Sequence, residues 1–247
     1  MKKQVVLITG ALAGIGKATA LAFAHEGAHI VISGRNKDAG ESLVKEIMQL
    51  GAEVEFIRTD VRYEEEVQLL IDQTVKRFGR LDVAVNNAGT EGISAPIVDQ
   101  TVEVYNSTFD TNVLGTFLCL KHELKVMMQQ RSGSIINLSS VAGYKGFPGA
   151  SIYCATKHAV EGLTKVAALE AAAANVRINT VAPGPIDTAM LDRFTGTTQV
   201  KTSFIEGIPL KRAGLPEEVA QTIVFLASGK APFITGATIR IDGGLLA

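Results

Sequence analysis

The stretch Val5-Val6-Leu7-Ile8-Thr9-Gly10-Ala11-Leu12-Ala13-Gly14-Ile15-Gly16 begins as a wholly apolar run and ends in glycines spaced G-x-x-x-G-x-G. A short apolar run without polar alternation reads as a strand covered on both faces. Helical periodicity starts at Ile15, so the glycines occupy a strand-to-helix turn. Glycine lets a backbone turn tightly and approach a ligand, and a helix N-terminus offers free N–H groups and a positive dipole end. The spacing departs from G-x-G-x-x-G. Its position at the first crossover nevertheless predicts a dinucleotide phosphate site built from Gly10, Leu12, Ala13, Gly14, Ile15 and Gly16.

Working outward, further strands are expected at 30–32, 54–57, 81–85, 134–138, 176–181 and 238–241. Helices are expected at 15–26, 39–50, 64–78, 109–130, 152–174 and 216–228, with Gly27, Gly51 and Gly79 suited to left-handed C-caps. Such alternation predicts an α/β fold, a doubly wound Rossmann-type sheet of seven parallel strands with helices on both faces. No repeat, linker or composition break interrupts it, so 1–247 is read as one domain. Residues 188–215 fall outside the alternation and mix Met190, Leu191, Phe194, Phe204 and Ile205 with turn formers. A long insertion in a compact domain favours function, here a substrate lid.

The cofactor's identity is a question of charge. An NAD site usually carries an acid at the end of the second strand for the ribose hydroxyls. Here that position reads Ser33-Gly34-Arg35-Asn36. Arg35 suits a 2′-phosphate through charge-assisted hydrogen bonds, which favours NADP(H). Asp38 nearby keeps NAD(H) open.

Chemistry enters at Tyr153-Cys154-Ala155-Thr156-Lys157. On a helix, Tyr153 and Lys157 are i,i+4 neighbours on one face. A free phenol titrates near pH 10, and an ammonium about 4 Å away is worth roughly 4 kcal/mol at an effective dielectric near 20, enough to lower it by about three units. Ser140 ends the strand Ile135-Ile136-Asn137-Leu138, and its hydroxyl suits a substrate oxygen. Asn86-Asn87-Ala88-Gly89 and Asp60 close two other strands at the same carboxyl edge, where open α/β sheets bind ligands. Residues near Thr90, Glu91, Val141, Tyr144, Pro185, Met190 and Phe194 are expected to line the substrate pocket.

With these motifs in hand, the chain resembles the short-chain dehydrogenase/reductase family almost end to end. The matching positions are 9–16, Asp60-Val61, 86–89, Asn112, Ser140, Tyr153 with Lys157, Pro183-Gly184 with Ile186 and Thr188, and Ile241-Asp242-Gly243-Gly244. The resemblance implies that Tyr153 is the general acid/base and that Ser140 orients the carbonyl. It implies that Lys157 lowers the tyrosine pKa and binds the nicotinamide ribose, and that Asn112 holds a relay water. It also implies that Asp60 and Val61 contact adenine, that Asn87, Ala88 and Gly89 meet the middle of the cofactor, that Ile186 and Thr188 contact its carboxamide, and that Pro183 and Gly184 belong to the cofactor site. In that family an arginine at the position of Arg35 goes with NADP(H), and the helix over 152–174 forms part of a dimer face within a homotetramer. Ala13 departs from the pattern by offering no second contact to a 2′-phosphate.

Composition narrows the partners. Twenty-four Lys and Arg against 25 Asp and Glu give a net charge of −1, which excludes an electrostatic case for nucleic acid or anionic membrane. Cys119 and Cys154 are read as free thiols, consistent with a cytoplasmic protein. His25, His29, His122 and His158 lack metal spacing, so no metal site is expected. No apolar stretch reaches membrane length. The expected reaction is hydride transfer between NADP(H) and a ketone or secondary alcohol. The alternatives are a 3-oxoacyl-carrier-protein ketoreductase, with Lys201, Lys211 and Arg212 as a basic docking patch, and an NAD-dependent sugar or polyol dehydrogenase, with Glu91 holding hydroxyls. A cofactor-sensing regulator on the same fold would be expected to lack the serine, tyrosine or lysine, and all three are present.

Overall fold

A computed structural model describes residues 3–247. Seven parallel strands run through it: β1 (Val5–Thr9), β2 (His29–Gly34), β3 (Val54–Arg58), β4 (Val83–Asn86), β5 (Gly133–Leu138), β6 (Val176–Pro183) and β7 (Thr238–Ile241). Their spatial order is β3-β2-β1-β4-β5-β6-β7. The winding direction changes between β1 and β4, and it is there that such sheets open a ligand crevice.

Strand alternation explains why the strands look apolar throughout. Val6 and Ile8 of β1 join Ile30, Ile32, Val83 and Val85 in one core, while Leu7 joins Val31, Ala84 and Ile135 in another. The first core is covered by Phe23 of α1 (Gly14–His25), Leu43 and Ile47 of α2 (Lys37–Gln49), and Val219 and Ile223 of α9 (Pro216–Ala227). The second is covered by Leu70 and Ile71 of α3 (Glu64–Phe78), Leu120 and Met127 of α5 (Gly115–Gln130), and Ala167 and Ala171 of α6 (Ser151–Ala171). Each fully buried aliphatic side chain contributes roughly 1.5–3 kcal/mol, so neither face of the sheet can be left open.

Two elements differ from expectation. The helix expected at 109–130 begins earlier: α4 (Val102–Phe109) continues through a π-helical turn, Asp110–Leu114, into α5. Thr101 caps α4 by accepting from the Val104 N–H, a start signal that the mixed polarity of 102–108 masked. The segment 188–215 is largely helical, with α7 (Ala189–Thr195) and α8 (Thr198–Glu206). Both are short, and α8 has its own Thr197 cap. Only two or three turns of periodicity are there to be read, which is why the segment looked irregular. The expected left-handed caps are present at Gly27, Gly51 and Gly79.

Candidate active site

The phosphate loop is shaped by backbone contact with the neighbouring strand end. The Asn87 amide donates to the carbonyls of Thr9 and Gly10 at 3.0 and 2.9 Å. Thr9 Oγ1 in turn accepts from the N–H groups of Asn87 and Ala88. The chain therefore passes so close at Gly10 and Gly16 that no side chain fits. A Cβ on Gly10 would stand 2.8 Å from Ala88 Cα, and one on Gly16 would stand 2.5 Å from the Asn87 amide nitrogen. Helix α1 starts at Gly14 after Ala13, which provides no side-chain cap, and its first turn carries no acid. Its N–H groups are thus left for an anion. A glycine cradle joined to an uncapped helix start fits a dinucleotide pyrophosphate. Thr188, at the start of α7, abuts Gly14: a Cβ there would lie 3.1 Å from its Cγ2.

At the adenosine end of this edge, Arg35 is exposed just past β2, next to the Asn36 cap of α2. Asp60 is not a free carboxylate. Arg62, which the sequence did not single out, binds it in a fork at 2.9 and 2.6 Å, and that pairing holds its pKa below the usual range. Val61 is buried, its Cγ2 filling the space that a Cβ on Gly115 would need. Its side chain is a packing group, in a small core with Val67, Leu118 and Cys119.

The chemical end lies where β4, β5 and β6 finish. A cleft of about 930 Å³, open solvent space included, brings together Tyr153, Lys157, Ser140, Gly89, Ile186 and Phe194. Tyr153 and Lys157 share one face of α6, with the lysine Nζ 5.5 Å from the phenol ring centroid. The electrostatics differ from the expectation of an ammonium that acidifies the phenol. Lys157 Nζ donates to the Leu138 carbonyl at 2.8 Å, and burial lowers its pKa to about 8. Burial also pushes Tyr153 up to about 12, against the hydrogen bond from Ser140 that pulls it down. Desolvation penalises both charged forms and is the largest influence on each. The phenol is therefore a neutral acid throughout the neutral range.

Asn112 sits in the π-helical turn, fully buried. Its amide donates to the Thr90 carbonyl at 2.8 Å and to Thr156 Oγ1 at 3.0 Å, and its oxygen accepts from the Thr90 N–H. Both amide hydrogens are committed, so any water it holds is held by an oxygen. The side chain pins the loop that carries Thr90 and Glu91.

Of the expected lining residues, Thr90, Glu91, Val141, Pro185, Met190 and Phe194 border the cleft. Tyr144 does not: it is 47% exposed, with Arg240 over its ring. The sequence missed Phe147, whose ring meets Phe204 of α8 edge-on at 6.2 Å, while Phe194 of α7 lies 6.0 Å from Phe204. It also missed the fork between Arg193 of α7 and Glu91, at 2.6 and 3.3 Å. No sequence signal joins positions 102 residues apart. The expected basic patch is partly neutralised: Lys201 binds Asp187 and Asp192 and Arg212 binds Glu218, while Lys211 donates to the uncharged Glu206 carbonyl and keeps its charge.

Comparison with known proteins agrees with this geometry. A family model described as Enoyl-(Acyl carrier protein) reductase matches residues 10–246. The 3-oxoacyl-[acyl-carrier-protein] reductase FabG of Thermotoga maritima is 41% identical over 246 residues, spanning 100% of this chain and 99% of that protein. Levodione reductase superposes with a TM-score of 0.95 at 36% identity, covering 98% of this chain and 96% of that one. The structure of ElxO with NADP bound superposes with a TM-score of 0.92 at 39% identity, covering 99% of both chains.

Proposed function

Because the chain belongs to the short-chain dehydrogenase/reductase family of nicotinamide-dependent oxidoreductases, we propose that it reduces an apolar ketone to a secondary alcohol with NADPH, Tyr153 acting as the general acid. The observation that carries this reading is the phenol of Tyr153 lining, with Ser140, an apolar cleft that adjoins an uncapped helix start, where burial keeps it protonated. Reduction needs a proton donor at the carbonyl oxygen, and a phenol held up near 12 keeps its proton at neutral pH.

A nicotinamide cofactor bound along the strand edge would supply a hydride to the carbonyl carbon. Gly10, Leu12, Ala13, Gly14, Ile15 and Gly16 would hold its phosphates, Arg35 its 2′-phosphate, and Asp60 and Val61 would flank the adenine. Asn87, Ala88 and Gly89 would border its middle, and Pro183, Gly184, Ile186 and Thr188 its nicotinamide end. Ser140 donates to the substrate oxygen as charge develops there, and Tyr153 delivers the proton. Lys157 keeps a positive group beside the phenol ring, which favours its conjugate base once the proton has left. Asn112 fixes the 90–91 loop that walls the site. The helices α7 and α8 act as a lid, with Phe194 and Phe204 closing on Phe147. The protein acts in the cytoplasm as a homotetramer.

A 3-oxoacyl thioester is the second reading, favoured by the 41% identity to a carrier-protein reductase. Against it, Lys201 and Arg212 are paired with acids, which leaves Lys211 as the one residue of that patch without a carboxylate partner for an anionic carrier to compete with. The polyol reading is less favoured, because the Glu91 carboxylate is already forked with Arg193 and the rest of the cleft is mainly apolar. The test is a panel of small apolar ketones and an acetoacetyl thioester, each run with NADPH and NADH, for the parent and for Tyr153→Phe. Ketone turnover faster with NADPH, lost by roughly 10²- to 10⁴-fold in the variant with cofactor binding intact, is expected. Near-normal turnover of Tyr153→Phe refutes the assignment.

A further inference from the structure

Beneath the cleft, a polar row crosses the sheet in register: Thr9 faces Asn86, Asn86 faces Asn137, Asn137 faces Thr180, and Thr180 faces Thr238. The row points toward α5 and α6, where apolar residues would be expected to cover it. Instead α5 supplies Glu123, a carboxyl with no exposed surface.

The hydrogens of this row end on two acceptors of the covering helices, Glu123 and Thr164. The Asn86 amide nitrogen donates to Glu123 Oε2 at 3.0 Å and to Asn137 Oδ1 at 2.9 Å. The Asn137 amide donates to Thr164 Oγ1 of α6 at 2.8 Å, as does the Thr180 hydroxyl at 2.9 Å. Thr164 donates its own hydroxyl hydrogen bond to the Val160 carbonyl. Two buried oxygens are left without a donor, Asn86 Oδ1 and Glu123 Oε1. They belong to the two groups already joined by the Asn86–Glu123 bond. One proton on Glu123 satisfies both: its O–H donates to Asn86 Oδ1 while Oε2 accepts from the amide, closing an acid–amide ring.

We propose that Glu123 is a positioning residue held as the neutral acid, in a two-point pair with Asn86 that sets the end of β4 from which Asn87 grips the phosphate loop. Asn87 follows Asn86 directly, and its amide holds the Thr9 and Gly10 carbonyls. Ionising Glu123 removes the donor to Asn86 Oδ1 and strands a charge in the core, and the strain falls on that grip. Nothing nearby compensates the charge. The groups on the surrounding elements are committed elsewhere: Lys157 of α6 to the Leu138 carbonyl, Glu161 of α6 to Ser139, Glu64 of α3 to Lys121 and His122, and Asp82, just before β4, to Arg80. On its own helix Glu123 faces Cys119, a thiol that burial keeps neutral. In keeping with this geometry, burial raises the Glu123 pKa to about 7, so the switch lies at neutral pH.

Glu123→Gln is the decisive variant, because an amide keeps both hydrogen bonds of the ring and cannot titrate. Three readouts follow on the full-length protein: unfolding free energy against pH, NADPH affinity against pH, and the isotope-edited infrared band of the glutamate carboxyls. The binding readout alone rests on the nicotinamide reading; the other two stand without it. Expected are a protonated-carboxyl band at about pH 6 that disappears above neutrality in the parent and is absent in Glu123→Gln, and a several-fold weakening of NADPH binding from about pH 6 to about pH 7.5 in the parent that the variant lacks, below the range near 8 where Lys157 titrates in both. Fully ionised carboxylate at about pH 6, coincident pH profiles for parent and variant, or a Glu123→Gln protein that does not fold would each overturn the proposal.

Discussion

Arg193→Met tests whether α7 is latched over the cleft. The Glu91–Arg193 fork joins the loop after β4 to the lid, and its partners differ in environment: the Glu91 side chain is 11% exposed and the Arg193 side chain 61%. Exposed pairs contribute about 0–1 kcal/mol, and breaking a buried one costs about 3–5 kcal/mol. With the arginine largely in solvent the value belongs near the lower bound, about 1–2 kcal/mol, or roughly a 5- to 30-fold change in the ratio of closed to open lid. Methionine keeps the apolar stem and removes only the charge. Glu91 then stands unpaired beside an apolar cleft, and closing the lid desolvates it. KM for an apolar ketone should rise by that factor at saturating NADPH. kcat should hold, because Tyr153, already pushed up to about 12, stays protonated whatever Glu91 adds. Glu91→Gln removes the stranded charge, so the double variant should recover part of the loss in a double-mutant cycle of steady-state kinetics. An unchanged KM in Arg193→Met, or strictly additive effects, refutes the latch.

Two further outcomes follow from the same region. The Lys157 pKa is lowered to about 8, so its buried ammonium opposes folding below that pH. Unfolding free energy should climb by about 3 kcal/mol as pH rises from 8 toward the ordinary lysine range, and Lys157→Met should flatten that climb in denaturant titrations; an identical slope in the variant contradicts the assignment. Gly16→Ala puts a Cβ against the Gly10 carbonyl and 2.5 Å from the Asn87 amide nitrogen, groups bonded to each other and unable to yield. Overpacking of about 1–3 kcal/mol should weaken NADPH binding roughly 5- to 150-fold by calorimetry, whereas Gly162→Ala, where a Cβ meets nothing, should bind normally; unaltered affinity in Gly16→Ala would rule out the cradle.

Periodicity made most of the fold legible, because burial on two faces forces unbroken apolar strands and the helices between them are long. It failed where helices are short, as in α7 and α8, and where a helix carries a polar opening, as in α4. The juxtaposition of Ser140, Tyr153 and Lys157 at one cleft could be read because strand ends and an i,i+4 spacing are local features; Asn112 came only from the family resemblance, and it lies behind the cleft, bonded to Thr90. Their electrostatics could not be read. Whether Lys157 acidifies Tyr153 depends on what else the ammonium touches and how deeply both lie, and neither is written in their spacing. The Glu91–Arg193 and Glu123–Asn86 pairs escaped for the same reason: each joins residues distant in sequence through tertiary folding alone.

The π-helical turn at Asp110–Leu114 has a consequence for how this chain can change. Such a turn is one residue of surplus inside an otherwise regular rod. Removing a single residue there would restore an ordinary helix and rotate everything upstream by about 100° relative to α5. Val102 and Tyr105, now on the outer surface, would swing to a different side of the molecule, and the amide that steadies Thr90 would leave its place. Length at this point is therefore constrained more tightly than composition, and a deletion that looks harmless on a helix surface would dismantle a wall of the cleft some distance away.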